Sequence, residues 1–164
     1  MMKRCAFAIL ILILSFALLV VTASAFGIHI LNFSFYEKPD HTEVVSNVTG
    51  NPSEENVAFY EPGYVPSGYK LIAEEPFGDI SLEYIYQNEE GEYLYIDQHL
   101  ADGFTENINN EGCTISDVII DEKEVRIFDY GNRKICLLQY NSTFIWIKGA
   151  LPSVEFEEII KGIR

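Results

Sequence analysis

Positive charge is scarce in this chain. Its 164 residues hold 11 Lys and Arg against 25 Asp and Glu, a net charge of −14. Lys3 and Arg4 fall within the first 26 residues, which hold no acid, so the remainder sets nine basic residues against 25 acidic ones, a balance of −16. Such a surface is repelled by nucleic-acid phosphates and by anionic lipid headgroups. Nucleic-acid binding is set aside on that ground. Histidine is scarce as well, with only His29, His41 and His99. His29 and His41 precede the segment read below as the folded domain. His99 stands alone at a strand end, where a histidine is far more often a surface residue than a catalyst. The chain lacks G-x-S-x-G, H-E-x-x-H, C-x-x-C and the phosphate-binding loop. The expectation is a protein that is not an enzyme and needs no cofactor. Residues 107–112 place polar oxygens and Gly112 as a calcium loop does. However, Asn107 stands where Asp is needed and Val118 where a bidentate Glu is needed, so the segment reads as a polar loop and no metal is expected.

Cysteine is nearly absent too, with three in all. Cys5 opens a hydrophobic run directly after Arg4, without the apolar residues that precede a lipoprotein cysteine. Cys113 and Cys136 lie in the part read as external, where a disulfide can persist. A bridge would close a loop of about 24 residues and contribute roughly 3 kcal/mol. The alternative is two separate buried thiols.

What the chain has in quantity is apolar length at one end. Residues 5–36 carry no charge, and residues 5–25 are nearly all Ala, Ile, Leu, Val and Phe. A run of about 20 apolar residues suffices to span a bilayer core of ~30 Å. No polar face at helical spacing interrupts it. Ala23-Ser24-Ala25 fits a signal-peptide cleavage site. The apolar core before it runs about 18 residues, longer than the 7–15 usual for a cleaved signal, which favours an uncleaved anchor. Lys3 and Arg4 keep the N-terminus cytoplasmic by the positive-inside rule. The expected placement is a single-pass cell-membrane protein with its domain outside, or a secreted one if cleavage follows Ala25. Residues 1–26 are the expected anchor and 27–61 a membrane-proximal segment and linker. Within the latter, 41–45 is a candidate short strand and 46–61 is rich in Asn, Ser, Glu, Gly and Pro.

Residues 62–164 read as an α+β domain. Short β-like runs occupy 69–75, 81–87, 92–100, 114–120, 123–130, 133–140 and 143–148, with turn residues between them. Gly131-Asn132 suits a two-residue hairpin, and 102–112 reads as a longer loop. Phe156, Ile159, Ile160 and Ile163 recur at helical spacing as one apolar stripe. Ser153 is a candidate N-cap, and acids and bases flank the stripe as the helix dipole favours. The expectation is a consecutive antiparallel sheet of six to seven strands with a C-terminal helix packed on one face.

Aromatics are plentiful, with 10 Tyr and 11 Phe. Tyr84, Tyr86, Tyr93 and Tyr95 read first as core and cross-strand pairs. The alternative is a face that binds a peptide, glycan or lipid.

Pro62-Gly63-Tyr64-Val65-Pro66-Ser67-Gly68-Tyr69-Lys70-Leu71 resembles the P-x-Y-[IV]-P-x-G-Y-x-L opening of domain-of-unknown-function family 4367. Residues 84–87, Ile96-Asp97-Gln98, Ile145-Trp146, and Gly149 with 155–163 are similar in order to that family's later strands and closing helix. Residues 32–43 resemble the membrane-proximal stretch of its small members. The resemblance implies a bacterial domain outside the membrane behind one spanning helix, with a fold similar to the curved sheet of lipoprotein carriers. Some members are joined to cytoplasmic anti-sigma-factor modules. Only four residues precede the hydrophobic run here, so no sigma-factor binding is expected of this chain alone. The resemblance implies no catalytic residues. The expected role is binding or regulation at the cell envelope, through contact with another envelope or membrane protein. The alternative is a carrier or sensor of a lipid-like ligand.

Overall fold

The computed structural model describes residues 29–30, 33–47, 59–101 and 103–164. The expected N-terminal anchor and most of the expected linker lie outside the described residues. Among those described, no helix is long and apolar enough to cross a membrane.

Eleven strands and one helix are present among the described residues. The N-terminal strands are β1 (His29–Ile30), β2 (Phe33–Glu37) and β3 (His41–Ser46). Then come β4 (Lys70–Phe77), β5 (Ser81–Gln87), β6 (Tyr93–Leu100) and β7 (Thr105–Asn109). The last four are β8 (Thr114–Ile120), β9 (Lys123–Asp129), β10 (Lys134–Tyr140) and β11 (Thr143–Gly149). The helix α1 is Ser153–Lys161.

The strands form two antiparallel sheets. The main one has seven strands in the order β4-β5-β6-β11-β10-β9-β8. The smaller has four, ordered β1-β2-β3-β7. The sequence expectation of one consecutive sheet needs correcting. After β6 the chain leaves the main sheet, adds β7 to the edge of the small one, and returns as β8 at the far edge. The last meander then runs back, and β11 closes beside β6.

Local chemistry accounts for the hairpins. Asp121 and Glu122 both take positive φ (49° and 65°), giving the two-residue turn between β8 and β9. Gly131 sits at φ 84° and Tyr130 N–H bonds to Arg133 O, so the Gly131-Asn132 hairpin forms as its sequence requires. Asn141 turns β10 into β11 at φ 54°.

Strand alternation gives the main sheet two apolar faces. The first presents Leu82, Tyr84, Tyr86, Leu94, Ile96, Cys136, Leu138, Ile145 and Ile147, which pack against Phe156, Ile159, Ile160 and Ile163 of the C-terminal helical segment. The stripe read from the sequence is therefore the buried one. Its N-terminus differs, because Pro152 occupies the cap position and no side chain caps it.

Residues 59–69 run over the same face. Gln98 holds them, accepting from Tyr60 N–H at 2.7 Å and donating to Tyr60 O at 2.8 Å. Tyr64 donates its hydroxyl to Glu155 at 2.7 Å. Gly63 meets Gly162 backbone to backbone, and a Cβ on Gly63 would lie 2.5 Å from Gly162 O. The Pro-Gly-Tyr opening is thus a clasp onto the end of α1.

The second face is covered by the small sheet. Phe33 and Phe35 of β2, Val44 of β3 and Ile108 of β7 pack on Phe128, Leu137, Phe144 and Trp146. Residues 33–46, read from the sequence as a membrane-proximal passage with one candidate strand, form two strands of this cover. Residues 105–109, read as part of a loop, form its edge. A large apolar second face needs an apolar partner, and these short segments supply it.

Cys136 is buried on the first face, and Cys113 packs against the second-face cluster. The sheet separates them and both are free thiols, so the candidate disulfide between Cys113 and Cys136 is not formed.

Candidate functional site

Several recesses open among the described residues. One, about 590 Å³, is a groove between α1 and the β8 edge of the main sheet. Ile127, Cys136, Phe156 and Ile160 line its apolar part, and Asp129, Lys134, Glu157 and Lys161 its polar part. Beside it β8 is an end strand of its sheet, and Ile119 is 75 % exposed. The Cys136 thiol lies against this groove, but burial pushes its pKa up to about 12. It is a poor nucleophile there.

Two further recesses lie where the small sheet stops covering the second face. Tyr93 and Tyr95 stack with ring centroids 5.7 Å apart. With Arg133, Ile135 and Lys148 they line a recess of about 310 Å³. Next to it, Phe77, Ser81, Glu83, Asp97, His99 and Lys148 line one of about 240 Å³. Lys148 belongs to both.

The four tyrosines singled out in the sequence therefore do not share a face. Tyr84 pairs across from Ile96 and Tyr86 from Leu94, so both are buried under α1 and the clasp segment. Tyr93 and Tyr95 point the other way and line the open recess.

The register of the β5–β6 hairpin sets Glu83 directly opposite Asp97, and the β4–β5 register sets Glu75 opposite Glu83. Asp97 is only 6 % exposed. Lys148 forms an ion pair with its Oδ2. Among the described residues its Oδ1 meets no donor other than a protonated Glu83, and Trp146 Nε1 has no acceptor. A protonated Glu83 supplies a donor to Asp97. That hydrogen bond, together with partial burial and the Asp97 charge, pushes the Glu83 carboxyl up to about 7. Burial also holds the His99 imidazole below its ordinary range, and its ring lies 5.1 Å from that of Phe104. His99, the one histidine noted in the folded domain, is thus a member of this cluster, with Ser81 directly across from it on β5. Among the described residues no group of His, Cys, Asp and Glu is arranged to hold a metal ion.

Sequence reasoning missed Glu83, Asp97 and Lys148. The hairpin register was a usable signal. Counting outward from the loop at 88–92 pairs Gln87 with Tyr93 and brings Glu83 to Asp97. Lys148 had no such signal, because β11 reaches β6 only through the long-range strand order.

The fold defines an α+β protein in which a helix and a second sheet enclose a seven-stranded antiparallel sheet. The chain belongs to the family described as Domain of unknown function (DUF4367), whose model matches residues 59–163. The match takes in the clasp, the main sheet, β7 and α1, and leaves out β1 to β3. No curated protein and no solved structure matches the chain.

Proposed function

We propose that this protein is a membrane-anchored, extracytoplasmic binding domain without enzymatic activity, which engages a segment of another envelope or membrane protein. The observation that carries the reading is the groove between α1 and β8. A groove with an apolar floor beside an open strand edge suits an extended peptide, whose backbone adds to the edge while alternate side chains enter the groove. The uncharged run at 5–25, preceded by Lys3 and Arg4, supports the anchored placement. The acidity of the rest suits a partner segment bearing basic residues.

The test uses the full-length chain in its native membrane, with a photo-cross-linking residue in place of Ile119 and, as control, in place of Glu89. One membrane or envelope protein captured from position 119 and not from 89 supports the reading. Equal capture at both positions, or none, overturns it. The same groove could seat an acyl chain against Phe156 and Ile160. Lipid captured specifically at 119, with no protein, would replace the partner reading with the carrier one.

A further inference from the structure

The turn between β4 and β5 presents two apolar side chains to solvent, Phe77 at 58 % and Ile80 at 66 % exposure. We propose that this turn is a second membrane contact, which dips into the outer leaflet of the bilayer that holds the N-terminal anchor and so fixes which end of the domain faces the membrane. The inference rests on the anchored placement proposed above and adds an oriented surface to it.

Three observations carry this. First, the chain enters the domain at the same end as the turn. Ile30 of β1 pairs with Phe33, and Phe33 pairs with Ser46. Ser46 N–H bonds to Phe104 O at 2.8 Å. The Phe104 ring lies 6.3 Å from that of Phe33 and 5.1 Å from that of His99. His99 pairs with Ser81, which follows Ile80, and Leu100 N–H bonds to Ile80 O at 2.9 Å. A continuous set of contacts thus joins the point of entry to the turn.

Second, the tether is short. Three peptide steps separate residue 26, where the expected anchor ends, from His29 of β1, and they reach at most ~11 Å. The headgroup layer is itself about 5–8 Å deep. The entry end is therefore held at the headgroups. The high effective concentration that a short tether sets makes two apolar side chains sufficient for a contact they could not sustain from solution. Third, charge is sorted along the strands. Glu89, Glu90, Glu92 and Glu111 stand at the opposite end. The seven residues of β5 put the first three of these about 23 Å from the turn, well beyond the screening length of ~8 Å. Asp121 and Glu122 share the entry end, but on the far flank of the sheet. On the turn itself Asp79 is the one acid, and it keeps the insertion shallow, with its carboxylate among the headgroups. Gly78 closes the turn at φ 60°, and the pairing of Phe77 with Ser81 fixes its base.

The experiment places the full-length chain in phosphatidylcholine vesicles, with a photo-cross-linking residue in place of Ile80 and, as control, in place of Glu89. Flotation after an alkaline carbonate wash shows whether the chain is anchored. The expected result is a lipid adduct from position 80 and only background from position 89. Phe77→Ser should lower the adduct at 80 about tenfold, the population change expected when one such side chain is no longer buried. Phe77 lies at an exposed turn, and an unchanged thermal melt shows that this variant folds. The comparison of positions 80 and 89 stands without it. Equal adducts at 80 and 89, no lipid at 80, a second copy of the chain captured there in place of lipid, or an adduct unchanged by Phe77→Ser overturns the proposal. Each of these failures leaves the anchor standing. Release of the chain by the wash overturns the anchored placement and this proposal with it.

Discussion

One cross-strand row crosses the whole main sheet and meets two different environments. It runs Glu75, Glu83, Asp97, Trp146, Leu137, Arg126, Asp117. At the covered end, Arg126 donates to both oxygens of Asp117, at 2.8 and 3.0 Å. Its guanidinium lies 4.3 Å from the Phe35 ring, and Glu37 of the same small sheet stands 3.9 Å away. The charge there is matched, bidentate and sealed by an aromatic lid. At the open end the row holds three acids against Lys148, and no small sheet covers them. Both ends are polar, but only the first is closed. A charge enclosed under the cover must be satisfied within the chain. One at its margin can remain unbalanced and exchange a proton with solvent.

Removing the lid should have the largest effect. Phe35→Ala leaves a cavity over Arg126 and should cost about 3–5 kcal/mol in urea unfolding. A loss under about 1 kcal/mol would show that the small sheet contributes little to holding the main one. Asp117→Ala leaves Arg126 buried without its bidentate acceptor. The expected loss is about 3 kcal/mol, at the lower end for a broken buried pair because Glu37 remains nearby. If Asp117→Ala cost no more than Glu75→Ala, the contrast between the two ends would be wrong.

The open end should show itself through pH. The folded state holds the Glu83 proton up to about pH 7, whereas an unfolded Glu releases it near 4.5. The raised carboxyl therefore contributes stability that is complete below about 4.5 and lost as pH rises through 7. His99 acts in the opposite sense below its ordinary pKa, because its folded form resists protonation. Glu83→Gln should match the parent at pH 5 and exceed it in melting temperature at pH 8. Equal melting temperatures at both values would remove the shared proton. The smallest effect belongs to the rim. Tyr93→Ala, at a residue 43 % exposed, should change stability by no more than about 0.5 kcal/mol. Tyr84→Ala, beneath α1, should cost about 3 kcal/mol or more.

The β-runs from residue 69 onward, the tight turns at 121–122, 131–132 and 141–142, and the C-terminal helix stripe were legible in the sequence. Each is a local pattern, a period of two or of 3.6 residues punctuated by residues that tolerate positive φ. The opening motif was legible as a family signature but not as a clasp. Gly63 looks like any turn glycine until Gly162 is brought against it. Strands β2, β3 and β7 were the harder part. Each has only five or six residues, and each mixes polar with apolar positions in a way that a loop also can.

By itself, the sequence determined the charge, the uncharged N-terminal run, the alternation that assigns each strand residue to one side or the other, and the family. Tertiary structure alone decided that β11 lies beside β6, that Cys113 and Cys136 fall on opposite faces, and that Lys148 comes to the carboxyl pair. The physical reason is range. Alternation and turn chemistry act over a few residues. Strand order and the cover of a second face are settled by the total apolar area that the whole chain can remove from water.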